Sequence, residues 1–324
     1  MTREKILSLL RQAGEDYLSG EQIAASLGLS RAAVWKGIDR LRARGYRIES
    51  APGRGYRLGA DNDALSEEGV RRYLRHALPP LQVYTSIGST NTRLKVLAEE
   101  GAPEGTVLIA GEQTAGRGRL GRSFYSPAGT GLYMSLLLRP ALPAAQATGI
   151  TACAAVAAAE AIEELSGRQT QIKWVNDVLL EGRKICGILT EASLNWESGL
   201  VDYAVLGIGI NTRVPAQGFP EELREIAGAA FDRQLPELRC RLAAAVLDRF
   251  LDQYEHLAEG RFYEAYRDRS AVLGREIRVL RPGAEPRPAL ALDIGRDFSL
   301  RVRYADGSEE ELRSGEISVR AEQG

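Results

Sequence analysis

The chain is poor in the residues that most often build metal centres and disulfides. Only two histidines occur in its 324 residues, His76 and His256, and they stand 180 positions apart. Such spacing disfavours a histidine metal site or a Ser-His-Asp triad, and both histidines are predicted at the surface. The three cysteines, Cys153, Cys186 and Cys240, are odd in number and have apolar neighbours. They are predicted to be buried free thiols rather than disulfides, zinc ligands or a nucleophile.

Long hydrophobic runs are also missing. No segment approaches the ~18 apolar residues of a membrane span, and the first residues carry charges of both signs without the apolar stretch of a signal peptide. We therefore expect a cytoplasmic protein that does not enter a membrane. Hydrophobic residues make up 44% and charged residues 26% of the sequence, which is typical of a globular chain of roughly two or three domains.

Basic residues are concentrated near the start of the chain, although the net charge of the whole is only −1. Residues 1–60 contain eleven Lys and Arg against six Asp and Glu, and segment 30–57 alone contains eight against two. The remainder must therefore be acidic. A compact basic unit of this kind predicts a polyanionic partner.

The basic segment has the pattern of a winged helix. Apolar residues recur at helical spacing over 2–13, 20–27 and 31–44, with Thr2 as the predicted N-cap of the first helix. A tight turn at 28–29 and a predicted N-cap at Ser30 separate the second and third helices, which is the helix-turn-helix spacing. The third helix is therefore predicted to be a recognition helix.

Two short strands over 46–50 and 55–58 then predict a hairpin, the wing, with Arg54 at its tip. The polar stretch 61–63 is predicted to be a linker. A three-helix module that binds protein and never touches DNA is the alternative. The predicted DNA-contacting residues are Ser30, Arg31, Trp35, Lys36, Arg40 and Arg54.

Residues Gly116 to Arg122 read Gly-Arg-Gly-Arg-Leu-Gly-Arg and follow the apolar stretch 106–110. Glycine lets backbone amides approach a ligand closely, and arginine presents a fork of donors that matches phosphate or carboxylate. The segment predicts a loop wrapped around a small anion. A flexible basic surface loop is the alternative interpretation.

Three further segments carry candidate functional groups. Residues 89–91, Ser-Thr-Asn, precede a predicted helix and could cap it or bind a ligand. Segment 173–177 places a cation, an indole, an amide and a carboxylate within five residues. Lys184 begins an apolar strand that ends in Glu191, where a solvated lysine and a catalytic one are both compatible with the sequence.

Alternation of helical and strand patterns from Tyr84 to about Tyr266 predicts an α/β domain. It includes a buried helix over 144–165, a strand over 203–210 and an amphipathic helix over 237–256. Beyond residue 271 the patterns are short alternating strands, predicted over 276–280, 289–294, 300–304 and 311–314. Such strands are typical of a small SH3-like barrel, so the whole chain is predicted to be a multi-domain α+β protein.

Taken in this order, the segments resemble the biotin protein ligases, specifically the bifunctional bacterial type that is also the biotin operon repressor. The glycine-arginine loop of that family matches 116–122, and its Lys-Trp-Pro-Asn-Asp segment matches 173–177 with Val175 in place of proline. Its strand lysine matches Lys184, and its Gly-Ile-Gly-Ile-Asn strand matches 207–211. With the winged helix, the resemblance covers essentially the whole chain.

The resemblance extends to the end of the chain and departs from the family at one aromatic position. The Gly-Glu-Ile-Ser-Val ending at 315–319 resembles the C-terminal barrel of the family, and Phe124 stands where a tryptophan often occurs. Neither Val175 nor Phe124 replaces a polar catalytic group, so shifted packing rather than lost activity is expected. The resemblance implies a central domain of the class II synthetase-like, biotin/lipoate ligase type. The implied domains are 1–60, 61–83 as linker and connecting helix, 84–270 for catalysis and 271–324.

The resemblance implies a biotin–[biotin carboxyl-carrier protein] ligase. The biotin carboxylate attacks the α-phosphorus of ATP to give biotinyl-5′-AMP and pyrophosphate, and a lysine of a carboxylase carrier domain then takes the biotinyl group. The implied catalytic residues are Lys184, Arg119 and Asp177. The implied substrate-binding residues are Ser89, Thr90, Asn91, Gln113, Gly116, Arg117, Gly118, Arg119, Arg122, Lys173, Trp174, Asn176, Lys184 and Gly187.

Partners and cofactors follow from the same resemblance. ATP would enter with Mg²⁺ as a substrate complex, without a fixed protein metal site, and biotinyl-5′-AMP would serve as intermediate and as corepressor. Operator DNA, a carrier domain and a homodimer promoted by biotinyl-5′-AMP are the expected partners. Two alternatives remain open: a lipoate ligase or acyltransferase on the same central fold, and a transcription regulator whose catalytic domain only senses biotin.

Overall fold

A computed structural model describes residues 2–77, 80–195, 197–233, 235–281, 283–313 and 316–319. The chain divides into two compact units. Unit 1 comprises Met1–Tyr73 together with Arg233–Arg241, and unit 2 comprises Leu74–Asp232 together with Leu242–Gly324. The domain limits inferred from the sequence, at 60, 83 and 270, remain predictions.

Unit 1 contains the helix-turn-helix and wing that the sequence predicts. The first helix already includes Thr2, which was expected to stand before it as an N-cap. The second helix has the predicted bounds, and the third ends two residues before the predicted limit. The elements are α1 (Thr2–Gln12), α2 (Gly20–Leu27), α3 (Arg31–Arg42), β1 (Ile48–Ala51), β2 (Gly55–Leu58) and α4 (Glu67–Tyr73).

Local capping and a shared core explain why these helices form. Ser19 and Gln22 make a reciprocal capping box at the start of α2, and Gly28 ends that helix with a left-handed φ of 64°. Ser30 accepts a hydrogen bond from the Ala33 amide at 3.1 Å and so begins α3. The buried core of the unit includes Ile6, Leu7, Leu10, Ile23, Val34, Ile38 and Leu41.

The polar stretch 61–63, predicted to be a linker, contains two buried residues. Asn62 and Asp63 are 1% and 8% exposed, and Arg239 donates to Asp63 through its backbone amide (2.8 Å) and its Nε (2.9 Å). The reason is that segment 233–241 returns to unit 1 and supplies the charge that Asp63 needs when buried. That partner lies far away in the sequence.

Glu237, in the same returning segment, joins other parts of unit 1. Its carboxylate accepts hydrogen bonds from Arg11 (2.6 Å), Arg72 (2.6 Å) and Tyr73 (2.7 Å). Burial opposes the charged form, but the hydrogen bonds from Tyr73 and Arg72 outweigh it, so the pKa of Glu237 lies below its usual value. The charged carboxylate therefore links α1 and α4 to the segment that directly precedes the helix Leu238–Tyr254.

Unit 2 is built on a mixed seven-stranded sheet with the order β3-β4-β5-β9-β8-β7-β6. Only the β3–β4 pair is parallel among its ladders. The strands are β3 (Leu81–Tyr84), β4 (Val107–Ala110), β5 (Gly131–Leu138), β6 (Gln171–Lys173), β7 (Asp177–Leu180), β8 (Arg183–Leu194) and β9 (Val201–Asn211).

The α-helices described in unit 2 are α5 (Thr90–Glu99), α6 (Ala147–Ser166), α8 (Tyr263–Asp268) and the part of α7 (Leu238–Tyr254) from Leu242 onward. The alanine-rich α6 is buried along most of its length, as predicted, because small side chains let a helix approach its neighbours closely. It follows a short 3-10 turn at 144–146. In the part of the chain that the structure describes, no helix combines the length and the apolar character that a bilayer crossing requires.

Five strands, one more than the ranges predicted, form a separate antiparallel sheet with the order β13-β12-β11-β10-β14. The predicted strands 289–294 and 311–314 are found at 287–294 and 309–312, and residue 314 lies outside the described residues. Along β12 buried and exposed residues alternate, as expected of a sheet with one solvated face. The strands agree with the predicted small β unit, whereas an SH3-like barrel remains a prediction. They are β10 (Glu276–Leu280), β11 (Arg287–Ile294), β12 (Leu300–Tyr304), β13 (Glu309–Leu312) and β14 (Glu316–Val319).

The cysteines and the histidines of the chain differ in exposure. Cys153, Cys186 and Cys240 are buried and free, as predicted. Burial raises the pKa of Cys240 to about 11, which keeps the thiol protonated and unreactive. His76 and His256 are partly exposed, with ring nitrogens 2.7 Å from Asp252 and 2.9 Å from Glu259 respectively.

Candidate active site and nucleic-acid interface

A cavity of about 280 Å³ opens on the seven-stranded sheet of unit 2. Every residue that the sequence assigned to catalysis or substrate binding lines it, except Gly116. Gly116 packs closely against the backbone of Phe124 instead, since a Cβ there would come within 2.4 Å of the Phe124 carbonyl oxygen. Four distant stretches of sequence therefore converge on one concave site. The lining also includes neighbours of these residues and two positions outside every motif, Met134 and Leu280.

A β-bulge aims Lys184 into this cavity. In the β7–β8 ladder Val178 pairs with Cys186 and Leu179 pairs with Lys184, so Ile185 is the extra residue. A bulge reverses the alternation of a strand, and it lets Lys184 and Gly187 line the same cavity although they are three positions apart. The sequence predicted a strand lysine here but carried no sign of the bulge.

Both the main chain and the side chain of Lys184 are held. Its amide donates to the Ile226 carbonyl (2.8 Å), and its carbonyl accepts from the Gly228 amide (2.8 Å). Its ammonium nitrogen lies 2.6 Å from Asp177 Oδ1, and both side chains are partly buried. The cation is thus fixed at the cavity wall by an ion pair and by two backbone hydrogen bonds.

The glycine-arginine loop is closed on itself and reaches the opposite wall. The Gly118 amide donates to the Arg122 carbonyl at 2.7 Å, and Arg119 Nη1 donates to Asn176 Oδ1 at 2.9 Å. Asn176 in turn donates to the Ile188 carbonyl at 3.0 Å. Leu120 at the tip of the loop is 65% exposed and has a left-handed φ of 52°. Arginine and lysine side chains from three segments therefore meet around one space.

Hydrogen bonds link the residues at the start of α5 to the strands beneath them. Ser89 is the N-cap of α5 and also lines the cavity, so the two interpretations of this residue are compatible. Gln113 Oε1 accepts from the Thr90 amide at 2.9 Å. Ser135 donates to Asn91 Oδ1 at 2.6 Å.

Ser135 was missed by sequence reasoning. It is fully buried in β5, between apolar neighbours, and its hydroxyl lies 2.7 Å from Thr90 Oγ1 as well as close to Asn91. A serine between apolar neighbours in a buried strand was the available signal, because a buried polar group requires a partner. The partners themselves could not be identified from the sequence.

Glu191 and Lys95 were also missed as part of this site. Glu191 Oε1 lies 2.5 Å from Lys95 Nζ and 3.5 Å from Arg117 Nη2, and Oε2 accepts from Asn91 Nδ2 at 2.9 Å. Burial favours the protonated form, but hydrogen bonds from Lys95 and Asn91 outweigh it and lower the pKa of Glu191. The carboxylate is therefore charged at neutral pH.

Trp174 and Val175 are held by residues from later in the chain. Trp174 is 3% exposed, and its indole Nε1 donates to the Phe298 carbonyl at 2.9 Å. Tyr266 Oη donates to the Val175 carbonyl at 3.2 Å, and the peptide bond between Trp174 and Val175 is cis. The indole is thus a cavity wall with a structural hydrogen bond.

Phe124 fills space that bare glycines leave open. A Cβ at Gly209 would lie 2.6 Å from its ring, and a Cβ at Gly187 would lie 2.9 Å from it. The ring also meets Tyr133 edge-on, with centroids 6.4 Å apart. A phenylalanine therefore packs well at the position where the family often has tryptophan.

The recognition helix of unit 1 displays the predicted DNA-contacting side chains. Ser30, Arg31, Trp35, Lys36 and Arg40 are all exposed on or before α3, and Trp35 reaches 58% exposure. Cations able to bind phosphate and an exposed indole therefore share one surface of this helix. Val34, Ile38 and Leu41 point inward to the core, so the polar face of α3 is free for a partner.

The wing is the predicted hairpin, and its strands pair from Ile48 opposite Leu58 to Ala51 opposite Gly55. The Arg54 guanidinium lies 4.4 Å from the centroid of the Tyr17 ring, a cation–π contact that restricts the side chain. Tyr17 was not singled out from the sequence. It supports the arginine at the tip of the wing.

Two family models match the chain. Residues 83–211 match the biotin/lipoate A/B protein ligase family, and residues 2–57 match a helix-turn-helix domain. These segments correspond to the sheet that carries the cavity and to the winged helix. The two sites described above therefore lie in separately matched parts of the chain.

Curated proteins with similar sequences are named as both ligase and repressor. The chain is 43% identical over 227 residues to the bifunctional ligase/repressor BirA of Bacillus subtilis, which covers 69% of each protein. It is 36% identical over 207 residues to the protein of the same name from Escherichia coli, covering 64% of this chain and 62% of that one. Among solved structures, the biotin protein ligase of Aquifex aeolicus in complex with biotin and ATP has a TM-score of 0.62. It is 29% identical and covers 75% of this chain and 99% of its own.

Proposed function

Because the chain belongs to the family of bifunctional biotin protein ligases and repressors, we propose that the cavity of unit 2 binds biotin beside ATP and that α3 binds operator DNA. The protein joins biotin to its acceptor at the expense of ATP, and it represses transcription through its helix-turn-helix. The residues named below, the corepressor and the dimer are our proposals for how it does so.

Formation of biotinyl-5′-AMP requires one anion to approach another. The biotin carboxylate attacks the α-phosphorus of ATP, an acyl–phosphate bond forms, and pyrophosphate leaves with the electron pair of the broken bond. Cations at the meeting point lower the barrier because negative charge accumulates there. Lys184 is suited to this place, since its ammonium is fixed in the cavity wall beside Asp177. Mg²⁺ enters as part of the nucleotide substrate.

Arg117, Arg119 and Arg122 supply further positive charge from the loop, and Lys173 and Asn176 line the cavity opposite them. A guanidinium can bind two phosphate oxygens at once, so Arg119 is assigned to the adenylate. Its hydrogen bond with Asn176 holds it near that position. These contacts retain the reactive intermediate until the acceptor arrives.

The neutral end of biotin is assigned to the polar groups around the start of α5. Ser89, Thr90, Asn91 and Gln113 offer both donors and acceptors, which a ureido ring needs. The bare Gly207 and Gly209 on β9 let side chains lie flat on the strand, since a Cβ at Gly207 would come within 2.2 Å of Asn91 Oδ1. A lipoyl tail carries no ureido group to bind these donors and acceptors, which favours biotin over lipoate.

Transfer to the carrier uses the same site. The acceptor lysine must be neutral to attack the acyl carbon of biotinyl-5′-AMP, and AMP then leaves. Asp177 is assigned to orient that lysine and to accept its proton. Asp177 is ion-paired with Lys184, so it positions Lys184 during adenylate formation. It can accept the proton of the acceptor lysine once Lys184 has moved to the phosphate of the adenylate.

The repressor function is assigned to α3 and the wing. Arg31, Lys36, Arg40 and Arg54 are placed to contact phosphates or base edges, and Trp35 to pack on the DNA surface. We assign the corepressor role to biotinyl-5′-AMP, which accumulates when acceptor is scarce and favours a homodimer that fits a two-fold symmetric operator. The chain would thus sense its own unused intermediate.

The observation that carries the proposal is the convergence of Lys184 and the loop arginines on one cavity. Its test is incubation with radiolabelled biotin, ATP and a carrier domain. Label on the carrier is the expected result, and label from lipoate instead would favour the rival ligase. A protein that binds biotin but releases no pyrophosphate would be a sensor only, and the assignment of catalysis to Lys184 would fail.

A further inference from the structure

Glu191 occupies an unusual place for an acidic residue. It lies on β8, on the same strand as Lys184, next to a cavity proposed to bind the anionic carboxylate of biotin. Its side chain is only 16% exposed, and the carboxylate is charged because hydrogen bonds hold its pKa low. A buried negative charge near an anion site would repel the ligand unless nearby cations neutralised it.

Both oxygens of this carboxylate contact α5, and one of them also faces the glycine-arginine loop. Oε2 accepts from Asn91 at 2.9 Å, and Oε1 lies 2.5 Å from Lys95 and 3.5 Å from Arg117. Asn91 and Lys95 are four residues apart on α5 and therefore share a face of that helix. One side chain thus joins β8, α5 and the glycine-arginine loop.

The charges around Glu191 remain favourable to an anion. Lys95 neutralises the carboxylate, and Arg117 adds a positive charge that lines the cavity. Arg117 is 47% exposed, so without a partner its long side chain would sample many rotamers. Ordering it in advance removes an entropic cost from ligand binding.

We infer that Glu191 is a positioning residue for biotin binding, which holds Arg117 over the cavity and fixes the amide of Asn91. This inference rests on the proposed function, since Asn91 is assigned there to biotin and Arg117 to the positive charge that the loop brings to the cavity. Lys95 keeps the charge of Glu191 from acting on the ligand. Glu191 itself does not touch the substrate.

The test compares Glu191→Gln with the unaltered full-length protein. Removing the charge should release Arg117 and weaken binding of biotin alone by about 5- to 50-fold in calorimetric titration, within the range of measured couplings between contacting residues. The rate constant of adenylate formation at saturating biotin should change by less than about threefold, because Lys184 is untouched. Glu164→Gln, which removes an exposed carboxylate paired with Arg249, is the control and should leave both values unchanged.

A double-variant cycle separates positioning from a general structural effect. If Glu191 acts mainly through Arg117, then Glu191→Gln should weaken biotin binding far less in an Arg117→Gln background than in the unaltered protein. Glu191→Asp retains the charge and should recover part of the affinity. Full additivity of the two substitutions, or biotin binding that is unchanged or tighter in Glu191→Gln, would overturn the inference.

Trypsin sensitivity provides a readout that does not depend on biotin. Release of Arg117 should speed cleavage within residues 117–122 in Glu191→Gln, while the thermal midpoint stays near that of the control. If the unaltered protein failed to bind biotin, the proposed function would be wrong. Loop cleavage would then still decide whether Glu191 holds Arg117, because equal cleavage of both proteins would contradict it.

Discussion

Lys184 illustrates how much a single side chain depends on its surroundings. Its backbone is held from both sides by Ile226 and Gly228, its ammonium by Asp177, and a one-residue bulge directs it into the cavity. Groups held in advance stabilise a transition state without reorganising during the reaction. The charge of Lys184 should therefore matter more for chemistry than for binding.

Replacing Lys184 with glutamine should slow biotinyl-5′-AMP formation by ~10²-fold or more while changing biotin affinity much less. Glutamine is one atom shorter than lysine, keeps a polar end and carries no charge to place between carboxylate and phosphate. Pyrophosphate release under single-turnover conditions measures the effect, with Lys5→Gln as an exposed control. A rate within about threefold of the unaltered protein would mean that Lys184 does not act on the transition state.

A substitution at Arg119 tests whether the protein retains biotinyl-5′-AMP, rather than whether it forms it. Arg119→Gly removes the side chain that bonds Asn176 at 2.9 Å and the proposed phosphate contact, so biotinyl-5′-AMP should escape. Bystander proteins in the assay should then acquire biotin on their lysines, which streptavidin blotting detects. An intermediate that stays bound as tightly as in the unaltered protein would count against this role.

At the scale of elements, local signals were sufficient for some features and insufficient for others. The bounds of α2 were predictable because capping residues and a terminal glycine mark them within the segment itself. The burial of Asp63 was not, since its partner Arg239 is 176 positions away. The same applies to the site: Lys184 was recognisable from its motif, whereas the roles of Ser135 and Glu191 depend on contacts between separate strands and helices.

Helix α3 leads to a prediction about salt. Arg40 is exposed on the polar face of this helix, and it is assigned to phosphate or base contact. Arg40→Ala should weaken operator binding and reduce the dependence of log affinity on log salt by about one charge if it contacts a phosphate. Fluorescence anisotropy across a salt series measures both. Arg71→Ala is the matched control, because Arg71 pairs with Glu67 at 3.0 Å within α4, and it should leave the slope as it was.

The segment that begins α7 predicts a pH dependence of stability. The pKa of Glu237 is lower in the folded protein than its usual value of 4.5, so its contribution is present above that value and is lost as pH falls through the folded pKa. Glu237→Gln should reduce the free energy of unfolding by about 1–2 kcal/mol at neutral pH. Urea unfolding should show this difference shrinking in acid. A difference that is constant with pH would exclude the charge as its cause.

At the scale of the whole molecule, ligase and repressor are expected to be coupled through the intermediate. Operator affinity should rise when biotin and ATP are added together, and adding an excess of carrier domain should reverse the rise by consuming biotinyl-5′-AMP. Gel-shift titration at low salt measures this, with biotin alone as the control. An operator affinity that is the same with biotin alone and with biotin plus ATP would contradict the corepressor assignment.

Deletion of residues 1–60 provides the complementary experiment on the same coupling. It should abolish operator binding while leaving carrier biotinylation substantial, since the cavity residues all lie in unit 2. The deletion removes Arg11, one of the partners of Glu237, so a lower thermal midpoint is expected as well. Loss of biotinylation at a temperature where the shortened protein is folded would contradict the separation of the two functions.

The position of Trp174 has an optical consequence. An indole shielded from water emits at shorter wavelengths than an exposed one, and Trp174 is shielded, hydrogen-bonded through its nitrogen and part of the cavity wall. Its emission should therefore change when the cavity fills. The chain has two other tryptophans, Trp35 and Trp196, and replacing both with phenylalanine would leave a protein whose intrinsic fluorescence reports occupancy of the active site without any attached dye.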